Sequence, residues 1–117
     1  MDSDKLKKRT KEFALRIIKL VNALPKNPTG RVIGGQLLRA GTSVGANYRA
    51  ACKAKSKVDF IYKINVVEEE ADECAFWLEL IIATGLMPEK KILSLLKEAN
   101  ELTAIFTATG RTAKSKK

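Results

Sequence analysis

Residues 56–85 read SKVDFIYKINVVEEEADECAFWLELIIATG, and this stretch decides the fold. Phe60, Ile64, Val67, Ala71, Cys74, Leu78 and Ile81 recur at steps of 4, 3, 4, 3, 4 and 3. That spacing is one face of an α-helix. Ser56 and Asp59 stand in the S-x-x-D relation of a capping-box variant at its start. Gly85 supplies a left-handed residue at its end, and Pro88 follows soon after. The helix spans about 57–84.

The same period extends outward in both directions. Upstream, Ile33, Leu37, Ala40, Val44, Asn47 and Ala51 place a helix over about 31–54, with Thr29 as its candidate cap. A neighbouring row holds Gly34, Leu38, Gly41, Gly45, Tyr48 and Cys52. Gly34, Gly35, Gly41 and Gly45 inside this helix each cost about 1 kcal/mol against alanine. Two explanations stand: another helix approaches closely over a small-residue face, or the helix breaks near Gly41. Further upstream, Leu6, Thr10, Phe13, Ile17, Leu20 and Leu24 define a helix over about 3–24, capped by Asp2 or Ser3 and stopped by Pro25. Downstream, Ile92, Leu96, Ala99, Thr103 and Phe106 line a helix over about 88–109, with Pro88 in its first turn and Gly110 at its end. Residues 111–117 read as a basic, mobile tail. Nothing alternates with period two. The expectation is an all-α, antiparallel, up-and-down four-helix bundle forming one domain over residues 1–110.

Helix three also carries Val66, Phe76, Trp77 and Leu80 away from its main seam. One bundle cannot bury apolar groups on every side of a helix, so surplus apolar surface points to a partner. Self-association is the simplest version, with the glycine face and the Phe76/Trp77 side as candidate contacts.

The chain of 117 residues contains no histidine. That removes the commonest general base and metal ligand, and every Ser-His or Cys-His arrangement. Cys52 and Cys74 are isolated, each inside an expected helix, and read as small core residues, without disulfide framework or zinc spacing. No cofactor, metal or catalytic residue is expected, and the protein is read as non-enzymatic. No apolar run approaches a membrane span, and Thr10 and Ala14 weaken the first helix as a membrane-surface element. Residues 1–5 are charged and lead into no signal-peptide core, so a cytoplasmic location is the default.

Net charge is +9, unevenly spread. Residues 1–57 carry 14 basic and 3 acidic groups, and residues 58–110 carry 4 basic and 10 acidic. Arg111, Lys114, Lys116 and Lys117 follow. Such an excess attracts polyanions, nucleic acid first. Lys7, Lys8, Lys11, Arg16 and Lys19 on the first helix are candidate phosphate contacts. So are Lys53, Lys55 and Lys57 between helices two and three, and Arg111. Spread charges neutralise phosphates without reading bases. The plain alternative is that they solvate helix faces or pair with the acidic third helix.

Three further patterns carry chemistry or mimic it. Gly41-Thr42-Ser43-Val44-Gly45 matches G-x-S-x-G, but a nucleophile elbow needs a strand-to-helix turn and a histidine, and neither is offered. Glu68, Glu69, Glu70, Asp72 and Glu73 form an acidic cluster. A di-iron bundle would use Glu-x-x-His pairs, so ion pairing is the better reading. Positions 66, 69, 70 and 73 share a flank, which Arg39, Arg49 and Lys53 can meet across the bundle or across a subunit interface. Gln36, Arg39, Ser43 and Asn47 form a polar ridge, read as hydrogen-bonded in an interface or as a phosphate or RNA site. Gln36, Arg39, Gly41, Ser43, Gly45, Asn47, Glu69, Glu70 and Glu73 are thus the candidate oligomer-interface residues.

From Gly35 to Ala50, continuing through Ser56-Lys57-Val58-Asp59-Phe60 and Glu68 to Glu73, the chain resembles the bacterial four-helix bundle proteins named for the 23S ribosomal RNA intervening sequence. That family's core reads approximately Q-x-x-R-[SA]-x-x-S-[IV]-x-A-N. Gln36, Arg39, Ser43, Val44, Ala46 and Asn47 match it. The resemblance implies a cytoplasmic bacterial homopentamer with a central channel. It also implies kinship in fold with the accessory protein of diversity-generating retroelements, a basic pentamer that binds nucleic acid and a reverse transcriptase. The leading functional expectation is a homo-oligomeric binder of RNA or DNA. The alternative is a protein-interaction module whose charge serves only solubility.

Overall fold

Three of the four helix starts are set by a short polar side chain that satisfies a free backbone N–H. Asp2 accepts the Lys5 N–H at 2.8 Å, Asn27 accepts that of Gly30 at 2.8 Å, and Ser56 accepts that of Asp59 at 3.0 Å. The resulting elements in the computed structural model, which describes residues 2–116, are α1 Ser3–Ala23, α2 Pro28–Cys52, α3 Lys57–Ala83 and α4 Leu93–Ser115. A 3₁₀ turn over Glu89–Lys91 leads into α4. Among the described residues there is no strand. The fold is an all-α four-helix bundle, 49 Å long and about 20 Å across.

The predicted stripes meet in one core. Phe13 and Ile17 of α1, Leu37 and Val44 of α2, Ile64, Val67, Leu78 and Ile81 of α3, and Leu102 and Phe106 of α4 are all buried. Tyr48 tilts against Phe106 with ring centroids 5.3 Å apart. Burial of each such side chain contributes about 1.5–3 kcal/mol. Thr10, the polar member of the α1 stripe, is fully buried and gives its hydroxyl proton to the Leu6 carbonyl at 2.8 Å. The seams α1–α2, α2–α3 and α3–α4 are closely packed, whereas α1 and α4 touch only sparsely.

Gly41 and Gly45 of α2 answer the question raised by their cost. The helix runs unbroken through Gly41. A Cβ on Gly41 would lie 2.7 Å from Ile17 Cγ2, and one on Gly45 would lie 3.3 Å from Thr10 Oγ1. The helix that approaches closely is therefore α1 of the same chain. Gly41 and Gly45, grouped above with an oligomer interface, belong to this intrachain contact.

Other expectations shift. α2 begins at Pro28 behind Asn27, not behind Thr29, because proline suits a first helical turn and the asparagine accepts the Gly30 N–H. α3 ends as expected: Gly85 has φ +68, and the Leu86 N–H reaches back to the Ile81 carbonyl at 3.1 Å. Pro88 precedes the 3₁₀ turn, so α4 proper starts at Leu93. Gly110 does not end α4. Its φ is not positive, it is buried against Asn65 and Ile64 of α3, and the helix continues to Ser115. Residues 111–115, expected as a tail, are thus helical, and Lys117 lies outside the described residues. Cys74 is in the core as read, but Cys52 is exposed at the end of α2.

Candidate functional site

Antiparallel topology brings the start of α1, the end of α2, the start of α3 and the end of α4 to one end of the bundle. All four segments are basic in sequence. Lys7, Lys8 and Lys11 come from α1, Lys53 and Lys55 from the α2–α3 turn, Lys57 from the first residue of α3, and Arg111 from α4. All are exposed except Lys7, which is half-buried, and among the described residues none of them forms an ion pair. Two further candidates stand apart. Arg16 and Lys19 sit on α1 beside Met87, Lys91 and Leu95, towards the opposite end. At 1.5 Å per residue Lys19 is about 18 Å along the helix from Lys7. Arg16 donates to Ser94 Oγ at 2.9 Å.

One arginine of the basic first helix is committed elsewhere. Arg9 grips Glu98 of α4 through Nε and Nη2, at 2.8 and 2.7 Å, and reaches Glu101 at 3.0 Å. These hydrogen bonds hold its guanidinium more firmly charged than usual. They also close the sparse α1–α4 seam. Beyond this bridge, at the basic end, the seam opens into a groove of about 760 Å³ between Leu6, Phe60, Ile105 and Ala113, rimmed by Lys57 and Lys116.

The sequence pointed elsewhere for Arg49. Within the chain it does not meet the acidic flank of α3. It lines a smaller groove between α1 and α2 together with Lys7 and Lys11. Nor does Lys53 meet that flank: among the described residues, no ion pair joins Arg39, Arg49 or Lys53 to α3. The signal for Arg49 was present but ambiguous. It lies four residues beyond Gly45, and which helix covers Gly45 decides what Arg49 faces.

The polar ridge and part of the acidic flank do converge. Asn47 Nδ2 donates to the Ser43 carbonyl at 2.8 Å, and Ser43 Oγ donates to the Arg39 carbonyl at 2.7 Å. Glu70 of α3 faces this ridge. Burial and the neighbouring Glu73 push its carboxyl above the ordinary value, while the Ser43 hydroxyl and the Arg39 charge act against that rise. Glu73 accepts the Trp77 indole N–H at 3.0 Å, and Phe76, beside Trp77, is half exposed. Glu69 and Gln36 are exposed. Glu68 turns the other way and accepts Thr107 Oγ1 of α4 at 2.6 Å. Among the described residues no group of three acidic or thiol side chains is arranged to hold a metal. Ser43 lies mid-helix, as expected for a spurious elbow match. Burial pushes the Cys74 thiol up to about 12. Among the described residues no helix is long and apolar enough to cross a membrane.

A crystal structure of a protein of unknown function from the S23 ribosomal protein family of Bacteroides thetaiotaomicron VPI-5482 is similar to this fold, with a TM-score of 0.87 and 35% sequence identity. The similarity covers 95% of this chain and 99% of that one. No curated protein matches the sequence. The model of the 23S rRNA-intervening sequence protein family matches residues 3–108, and the chain belongs to that family.

Proposed function

We propose that the protein is a non-enzymatic, homo-oligomeric binder of nucleic acid, RNA or DNA, that acts in the cytoplasm and engages phosphates electrostatically. The observation that carries this reading is the gathering of unpaired Lys and Arg from all four helices at one end of the bundle. An excess of this kind releases counterions from a phosphate backbone, so affinity falls steeply with salt. The named cations are spread over four segments, which favours phosphate-backbone contact over base readout.

Self-association is the second part of the proposal. The α2 ridge of Gln36, Arg39, Ser43 and Asn47, the facing Glu70 and Glu73, and the half-exposed Phe76 make a mixed polar and apolar face. Assembly on that face would bury Phe76, and the family resemblance implies five copies. Five chains would carry five times the +9 of one, which strengthens binding through multiple contacts. Native mass measured on the wild type and on Phe76→Ser tests the face. A shift to lower mass in the variant is expected, and an unchanged mass would reject it.

Filter binding to labelled RNA and DNA over rising salt tests the nucleic-acid reading, which predicts tight binding at low salt and a steep loss. Exposed Val58 and Tyr62 on the outer face of α3 favour a second reading, a protein-interaction module. A stoichiometric protein partner that survives nuclease treatment, with no binding to RNA or DNA, would select it.

A further inference from the structure

We infer that the groove between α1 and α2 is the track in which the phosphodiester backbone sits. Lys7 and Lys11 hold it from one wall and Arg49 from the other. This rests on the nucleic-acid reading above and assigns it a place.

The groove encloses about 280 Å³ and is lined by Lys7, Thr10, Lys11 and Ala14 of α1 and by Thr42, Gly45, Ala46 and Arg49 of α2. Its floor is low because the two backbones nearly touch there. A Cβ on Gly45 would lie 3.5 Å from the Thr10 carbonyl carbon. Ala14 and Ala46 add only methyl groups. The glycine that brings the helices together therefore also makes a channel that a chain of phosphates can enter.

The walls supply charge and little else. No carboxylate lines the groove, and among the described residues Lys7, Lys11 and Arg49 form no ion pair. The Thr10 and Thr42 hydroxyls give their protons to carbonyls of their own helices, at 2.8 Å each. No aromatic ring lines the groove for a base to stack on. Lys7 and Lys11 stand one turn apart, about 6 Å along the axis. That is close to the separation of neighbouring phosphates on one strand. The planar guanidinium of Arg49 suits paired hydrogen bonds to phosphate oxygens. Lys53, one turn beyond Arg49, and Asp4, one turn before Lys7, lie past the same end of the groove, where the basic α1 wall stops. Phosphates point in and bases point out, so recognition is indifferent to sequence.

The test uses the full chain, a labelled single-stranded RNA of mixed sequence and a labelled DNA duplex, titrated at several salt concentrations. The variants are Arg49→Gln, the double Lys7→Gln/Lys11→Gln, and Ala46→Leu, which fills the groove without altering charge. Lys90→Gln/Lys91→Gln, at the opposite end, removes as much charge as the double and serves as control. Thermal melts verify that all four are folded. The expected result is a loss of about tenfold or more for the two groove-charge variants. Their salt slope should fall by about one for each cation removed. Ala46→Leu should weaken binding with the slope unchanged, and the control should lose no more than about threefold. Equal losses in control and groove variants, or full binding by Ala46→Leu, would overturn the track and leave nucleic-acid binding standing. A wild-type chain that binds neither ligand at low salt would overturn both.

Discussion

At the scale of single residues, two glycines of α2 carry opposite predictions. Gly41 is buried, and an added Cβ would meet three carbons of Ile17 at 2.7–3.0 Å, close to the α1 backbone and unable to swing away. Gly35 has nothing within 4 Å. Both gain helix propensity from a Gly→Ala change, by about 1 kcal/mol. At Gly41 the overpacking, about 1–3 kcal/mol, outweighs that gain. Chemical denaturation should therefore show Gly41→Ala less stable by up to about 2 kcal/mol, and Gly35→Ala more stable by up to about 1 kcal/mol. Equal effects at the two positions would contradict the close α1–α2 contact. Glu70 carries a pH prediction. Burial, then Glu73, raise its carboxyl above the ordinary value, so the folded state holds a proton that the unfolded state has released. Stability is then undiminished below the ordinary carboxylate range. It declines as pH climbs from there through the raised folded value, and the loss persists at neutral pH. Glu70→Gln should raise the melting temperature at pH 7 and leave it little changed at pH 4. A neutral-pH melt that drops would show that the Arg39 and Ser43 contacts outweigh the burial.

The elements show which signals a periodic pattern carries and which it loses. All seven members of the α3 stripe lie in or against the core, because a 3.6-residue period states directly which face is inside. The caps at Ser56 and Gly85 were equally legible, and Asp2 was one of two choices with Ser3, since each motif satisfies backbone groups close to itself. Gly110 was not. A glycine at the end of a stripe signals a left-handed cap, but the same residue also serves where a neighbouring helix lies close, and only α3 decides between them. Cys52 misled for a related reason. It continues the second α2 row beyond the point where neighbours cover it. Arg9 was hidden among lysines because its partner Glu98 lies 89 residues away. That bridge ties α1 to α4 where the two are otherwise sparsely packed. Arg9→Met should cost about 1–2 kcal/mol, since a partly buried, bidentate charged pair is worth more than an exposed one. A double-mutant cycle with Glu98→Gln, followed by urea denaturation, checks it. Additive single effects would show that the seam closes without the bridge.

The whole molecule turns a charge imbalance along the chain into one in space. The basic first half lies in α1 and α2, and the acidic residues crowd the middle of α3. An up-and-down path then returns α4 so that Arg111, Lys114 and Lys116 join the lysines of α1 and of the α2–α3 turn. The basic composition was plain from the residues. Its focus at one end was not, because that depends on the direction of each helix and on α4 continuing past Gly110. Arg16 and Lys19 show the limit of composition: they belong to the same run of cations as Lys7, yet the rise of the helix carries them away from it. The fold also separates two roles that the sequence left mixed. The small face of α2 packs on α1, and the ridge from Gln36 to Asn47 faces outward beside Glu70. We propose that this asymmetry serves to hold nucleic acid. Its most direct test is the affinity of the purified protein for a 23S rRNA fragment, a random RNA and a DNA duplex between about 50 and about 200 mM salt. Tight binding at the lower salt and a steep negative slope are expected for at least one of the three. Feeble binding to all three at the lowest salt, or an affinity indifferent to salt, would contradict it.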